Sequence, residues 1–392
     1  MRVDKTQISG LQGMFTLACF LQASTLLASF LSPVTKQESW FVILIAGAIC
    51  IPGFWIFSGI VRSYPNKNLF QFFEAVYGKV ASKILSVLYL FFFIMLTALN
   101  LGDLTAFTRL TLMSKTPNVV IIGACVLVAA FGVKKGIKVI TRYSLFFLLS
   151  STLVLVATFL FSLGQFDLSN FLPIFNLDFG RYVQSTHILL TIPLGEVIVL
   201  GMFVPNIKFK KENMNKYIFF GLATMVFVFL IVKIRDIAVL GNVFHLLEFP
   251  PIISLRLINL GEALSRVEIL FAVILLMLMF FKITILFYVV VISIAQIFEI
   301  EKFWRLTFIT GVLITIFTMT FVNTNPIIHS SVARDTTPFL WSIFEFIIPI
   351  LTFIIGLIKK RTQTGSDLKK GKIKAYKKSL IYGKLDKATK KN

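Results

Sequence analysis

Hydrophobic residues gather along this chain into long blocks separated by short polar or basic connections. Ten blocks are legible, at 8–31, 40–60, 84–109, 117–133, 139–163, 184–205, 217–240, 266–297, 304–322 and 338–358. A helix rises about 1.5 Å per residue, so roughly 20 apolar residues cross a hydrocarbon layer about 30 Å thick. The pattern predicts an all-α, polytopic membrane protein of about ten transmembrane helices. The first block is too long for a signal-peptide core and no small-residue cleavage site follows it, so it is expected to be retained.

Polar interruptions within the blocks mark where function is to be sought. The sixth carries Thr191, Pro193, Gly195 and Glu196 where a plain membrane helix would carry leucines. Proline removes a backbone hydrogen bond and crowds the preceding turn, and glycine weakens helix propensity, so a kink or an unwound segment is predicted here. A carboxylate at membrane depth costs about 3 kcal/mol or more, so Glu196 is expected to face a cavity or a partner. A kinked structural helix with a neutral glutamic acid is the plainer alternative. The first block turns small and polar at Gln22, Ala23, Ser24 and Thr25, near the midplane and without glycine or proline. Close helix packing through small residues explains that window as well as a site does.

In the third block Thr97, Asn100 and Asp103 recur at spacings of three, which places them on one helix face. The eighth carries Lys282 about 14 residues from its start, roughly 20 Å along a helix, too deep for easy snorkelling. Lys282 is therefore expected to pair with an acid or face water. The tenth block holds Glu345 and Pro349.

The connections also have character. Pro65 signals a turn before a short amphipathic segment, and 164–183 reads as an ordered outside link. The apolar residues of 241–265 are too interrupted to span, which predicts a re-entrant or surface-lying helix capping the bundle. Residues 359–392 form a basic tail with 13 Lys and Arg against Asp367 and Asp386. It suits anionic lipid. Nucleic acid is not an expected partner, because Tyr376 and Tyr382 provide no series of stacking platforms.

Composition narrows the class further. A hydrophobic content of 57%, with 43 phenylalanines, leaves no room for a large soluble domain beside a membrane domain at 1–358. Most Lys and Arg fall in alternate connections, which by the positive-inside rule puts both termini in the cytoplasm; Lys233 and Arg235 count with the outer charges. Cys19, Cys50 and Cys125 lie within blocks and read as small apolar packers, and His187, His245 and His329 lack ligand spacing. No metal, cofactor or catalytic constellation is predicted, so no enzyme is expected.

Ten spans with irregular first and sixth helices suggest two five-helix halves of inverted topology, about 6–163 and 184–358. The opening Thr6 to Gln12, Trp40, Tyr64-Pro65-Asn66-Lys67 before Tyr77-Gly78-Lys79, Thr116-Pro117 and Thr141-Arg142 together resemble the B subunits of endospore germinant receptors. Pro193-Leu194-Gly195-Glu196, Pro205, Phe249-Pro250 and Arg266-Val267-Glu268 continue the likeness. The resemblance implies the LeuT-like fold of the amino acid, polyamine and organocation transporter superfamily, in a protein of the spore inner membrane. It further implies a small nutrient ligand such as an amino acid, and A-type and C-type receptor subunits as partners. An amino acid permease is the alternative. In that fold the first, sixth and eighth helices meet near the midplane, and sodium-coupled members hold a cation between the first and eighth, so the resemblance implies that Glu196 and Lys282 serve one polar centre, directly or through water and ligand. The ligand-binding candidates are Gln22, Ser24, Thr25, Asn100, Thr191, Pro193, Gly195, Glu196 and Lys282.

Overall fold

The computed structural model describes residues 4, 6–24, 31–208, 213–257, 266–322 and 334–360. Among these, seven helices are long and apolar enough to cross a membrane: Ser32–Ser63, Lys79–Thr111, Ile137–Gln165, Phe179–Met202, Met214–Leu246, Val267–Ile297 and Thr337–Lys360. The shorter apolar helices Asn118–Lys134 and Thr307–Val322, with the opening helix Gly10–Gln22, complete ten spans, numbered here in chain order. The fold is all-α and LeuT-like.

Burial sorts the spans. The sixth is buried continuously from Thr191 to Val204 and the eighth from Phe281 to Ser293, so these two form the centre. The remaining spans show exposed apolar faces, such as Phe131, Leu153, Phe308 and Phe339. That contrast is what a lipid solvent permits, since an apolar face can meet hydrocarbon without penalty while polar groups are kept inside the bundle.

The packing partners come in matched sets. The second span packs on the seventh, the third on the eighth and the fourth on the ninth, while the first meets the seventh as the sixth meets the second. The first also meets the fifth as the sixth meets the tenth. This is the pattern expected of two halves related by a pseudo-two-fold axis. Small residues let backbones approach at these crossings. At Gly221 of the seventh span an added Cβ would lie 2.6 Å from Leu17 of the first.

The two ends of the central helices are tied in different ways. At one end Ile8 and Ser9 pair in parallel with Ile207 and Lys208, joining the start of the first span to the end of the sixth. Ser9 and Gln12 close a capping box there. Asp4 then gathers two further spans, the fifth and the eighth: its carboxylate accepts from the Ile137 backbone N–H at 3.3 Å and the Tyr288 hydroxyl at 2.9 Å, while its carbonyl accepts from Asn206, just past the sixth span, at 3.1 Å. Nearby, Leu69–Tyr77 forms the predicted amphipathic helix, capped by Asn68 and Gln71, with Leu69, Phe70, Phe72, Phe73 and Val76 buried. At the other end, Pro250–Arg256 forms a short helix packed on the seventh and eighth spans, and residues 258–265 lie outside the described region.

Several features depart from the sequence expectations. Lys233 and Arg235, counted with the outer charges, are buried in the last turns of the seventh span. Arg235 donates to Asp236 at 2.8 Å, to the Pro251 carbonyl at 3.2 Å and to Thr158 at 3.3 Å, while Lys233 donates to Ser32 at 2.9 Å. Neighbouring groups thus replace the water that the positive-inside count assumes. The fifth span is interrupted at Tyr143, between Ile137–Arg142 and Ser144–Ser162. The ninth and tenth spans carry π turns, Thr318–Val322 and Ile343–Ile347, which no proline inside those turns announces.

Candidate functional site

The sixth span changes its helical winding twice around its proline. It starts as an α-helix, Phe179–Leu189, capped by the Asp178 side chain. Leu190–Leu194 is a π turn, closed by a bond from the Gly195 N–H to the Leu190 carbonyl, and Gly195–Met202 is a 3₁₀ helix. Pro193 has no N–H and its ring would strike the preceding turn of an α-helix, so a widened turn accommodates it. The predicted break is therefore a change of winding with no extended segment.

Tight winding aims Glu196 at the eighth span. Its carboxylate forms an ion pair with Lys282, and both side chains are fully buried. The Lys282 ammonium also donates to the Ser24 hydroxyl at 2.7 Å and lies 5.2 Å from the centre of the Phe20 ring. One cation thus meets a carboxylate, a hydroxyl and an aromatic face, contributed by the sixth and first spans. An ammonium has three donors and no acceptor, so this is a satisfied environment for a charge that apolar surroundings would otherwise penalise.

The other sequence candidates take different positions. Gln22 accepts from Ser151 of the fifth span at 3.0 Å. Asn100 and Thr191 turn back on their own helices, donating to the Leu96 carbonyl at 2.9 Å and the His187 carbonyl at 2.9 Å. Pro193 acts through the backbone. Gly195 meets Glu345, whose carboxylate an added Cβ would strike. Thr25 is outside the described residues. The structure thus brings together Ser24, Glu196 and Lys282, and leaves Gln22, Asn100 and Thr191 in supporting bonds around them. The first α-helix stops at Gln22, with Ala23 and Ser24 in a tighter turn, although that window contains no helix breaker.

Glu345 is the residue that sequence reading passed over. It is 6% exposed and packs beside Gly195 and Cys50. Its signal was visible as an acid inside an apolar block, four residues before Pro349. The buried Lys233, Arg235 and Asp236 were missed because their position near the end of a block suggested solvent.

Comparisons with known proteins give the family and the fold. The family described as "Spore germination protein" matches residues 7–327. Spore germination protein KB of Bacillus subtilis (strain 168) is 23% identical, with 93% of this chain and 98% of that protein covered. Spore germination protein YndE of the same organism is 22% identical over 84% of this chain and 90% of its own length. Among solved structures, the chain is similar to MHP1, a nucleobase-cation-symport-1 family transporter in a closed conformation with bromovinylhydantoin bound. That likeness has a TM-score of 0.55 at 16% identity and covers 91% of each chain. MhsT in complex with L-phenylalanine gives 0.57 at 14% identity, over 88% of this chain and 97% of that one. The structural likenesses bear on the fold.

Proposed function

Because the chain belongs to the spore germination protein family, we propose that it is the membrane subunit of a nutrient germinant receptor, sensing a small molecule such as an amino acid and triggering germination. The observation that carries this reading is the buried centre of Ser24, Glu196 and Lys282, where a fixed internal cation ties the broken sixth span to the first and eighth. A ligand that competes for one of these partners stabilises one packing of the three spans over another. A sensor requires only that difference in affinity, which then passes to A-type and C-type partner subunits without net movement of the ligand. In this reading the ligand also meets Gln22, Thr25, Asn100 and the Thr191, Pro193 and Gly195 stretch. The protein sits in the spore inner membrane with both termini and the basic tail at 359–392 in the cytoplasm, and its halves are the repeats at about 6–163 and 184–358.

Net transport by an amino acid permease is the second reading, favoured by the transporter fold. Uptake of radiolabelled amino acids into proteoliposomes containing this chain alone separates the two. A sensor binds its nutrient without accumulating it above the level of empty liposomes. Accumulation that disappears in Glu196→Gln would establish the permease.

A further inference from the structure

Glu345 sits within the π turn of the tenth span, and neither of its carboxylate oxygens has a hydrogen-bond partner among the described residues. The nearby ammonium of Lys282 is engaged by Glu196 and Ser24. The carboxylate borders a crevice of about 40 Å³ between the second, sixth and tenth spans. Its walls include Cys50, Gly53, Phe54, Phe57, Ile198 and Phe346, and among the described residues Glu345 is the one charged side chain lining it. Glu196 does not line the crevice, because consecutive residues of a 3₁₀ helix point about 120° apart and it is directed to Lys282. The crevice is therefore a separate place from the Glu196–Lys282 centre, although Gly195 links the two.

Chemistry narrows the occupant. A buried carboxylate with apolar walls is costly unless a cation and hydrogen bonds meet it. Hard metal ions need several oxygen ligands. Here one carboxylate lines the crevice, and the described residues hold no group of three His, Cys, Asp or Glu suited to a metal. A free amino acid would bring its own carboxylate beside Glu345, where no lining side chain is cationic. A primary ammonium fits, with its donors on Glu345 and an alkyl body against the phenylalanine rings. We propose that the crevice between the second, sixth and tenth spans binds a small primary amine without a carboxylate, with Glu345 as its counter-ion. This site is additional to the nutrient centre and does not depend on that reading. Occupancy holds Glu345 against Gly195, one residue from Glu196, so the amine acts on the sixth span from the other side.

The test uses the purified full-length protein in detergent, with thermal unfolding followed against millimolar isobutylamine, isobutanol and valine. These share one branched alkyl body and differ in the polar group. Isobutylamine is expected to raise Tm saturably, and isobutanol and valine to leave it unchanged. Glu345→Gln should weaken the apparent affinity for isobutylamine by about tenfold to a hundredfold, as loss of a charge-assisted bond implies. Gly53→Leu provides a second arm that keeps the carboxylate. An added side chain there has room, its Cβ meeting only the Phe346 ring at 3.9 Å, and it fills the crevice from the second span. Loss of the isobutylamine shift in Gly53→Leu supports the site even where Glu345→Gln fails to fold. No shift with isobutylamine, an equal shift with isobutanol or valine, or a shift that survives in Gly53→Leu overturns it.

Discussion

At the scale of single residues, charge balance governs the centre. Lys282 and Glu196 satisfy each other in a place where neither is tolerated alone, so Glu196→Gln or Lys282→Met should each cost about 3–5 kcal/mol. The double substitution strands neither charge and should recover protein abundance above either single variant. Abundance and thermal stability measured across the four proteins check this, and strictly additive losses would show the two residues to be independent. Gly195 gives a second residue-scale expectation. Its bare backbone accommodates the Glu345 carboxylate, so Gly195→Ala should destabilise by about 1–3 kcal/mol through overpacking. Glu345→Ala in the same chain should restore part of that loss, read as Tm of the purified variants. Both acids and the lysine stand out in the sequence because a charge in an apolar block is visible in one dimension. That Glu196 takes the lysine was expected from the fold the resemblance implies, and the ion pair agrees; the winding that aims Glu196 there, a 3₁₀ turn after a π turn, is not visible in one dimension.

At the scale of elements, winding is the variable that the local sequence leaves open. Pro193 excludes a continuous α-helix, and the chain answers with a π turn followed by a 3₁₀ run. Pro193→Ala returns the missing donor and removes the ring, so the sixth span should revert toward α-helix and rotate Glu196 away from Lys282. The expected result is a reduced nutrient response in reconstituted spores together with lower abundance, because Lys282 loses its buried partner. An unchanged response would separate the winding from the function. The capping box at Asn68 makes a simpler case. Asn68→Ala removes the acceptor for the Gln71 N–H and a 2.6 Å bond to Gln296, and should cost about 1–2 kcal/mol in Tm measurements. The box is readable from Asn68 and Gln71 three residues apart, whereas the π turns of the ninth and tenth spans follow from packing against neighbours and leave no marker inside them.

At the scale of the whole molecule, the fold rests on two buried helices wrapped by spans that meet lipid on one side. The proposed topology makes a direct prediction. In intact cells an impermeant thiol reagent should modify a cysteine placed at Asn242, which is exposed at the end of the seventh span, and should spare one at Asn213. The reverse pattern would invert the orientation of the bundle. Ten apolar blocks determined the all-α membrane class by themselves, because the length of a spanning helix is set by the thickness of the lipid and can be counted along the chain. The sequence likewise determined that Glu196 and Lys282 need company, since the cost of a buried charge does not depend on which neighbour relieves it. The tertiary structure alone decided that Lys233 and Arg235 are buried at an end the block pattern assigns to solvent, and that Ser24 joins Lys282 while Gln22 turns to the fifth span. It also decided that Glu345 comes to rest on Gly195. These are contacts between residues far apart in the chain, fixed by the angles at which helices cross, and hydrophobic periodicity carries the period of each helix but not its partner.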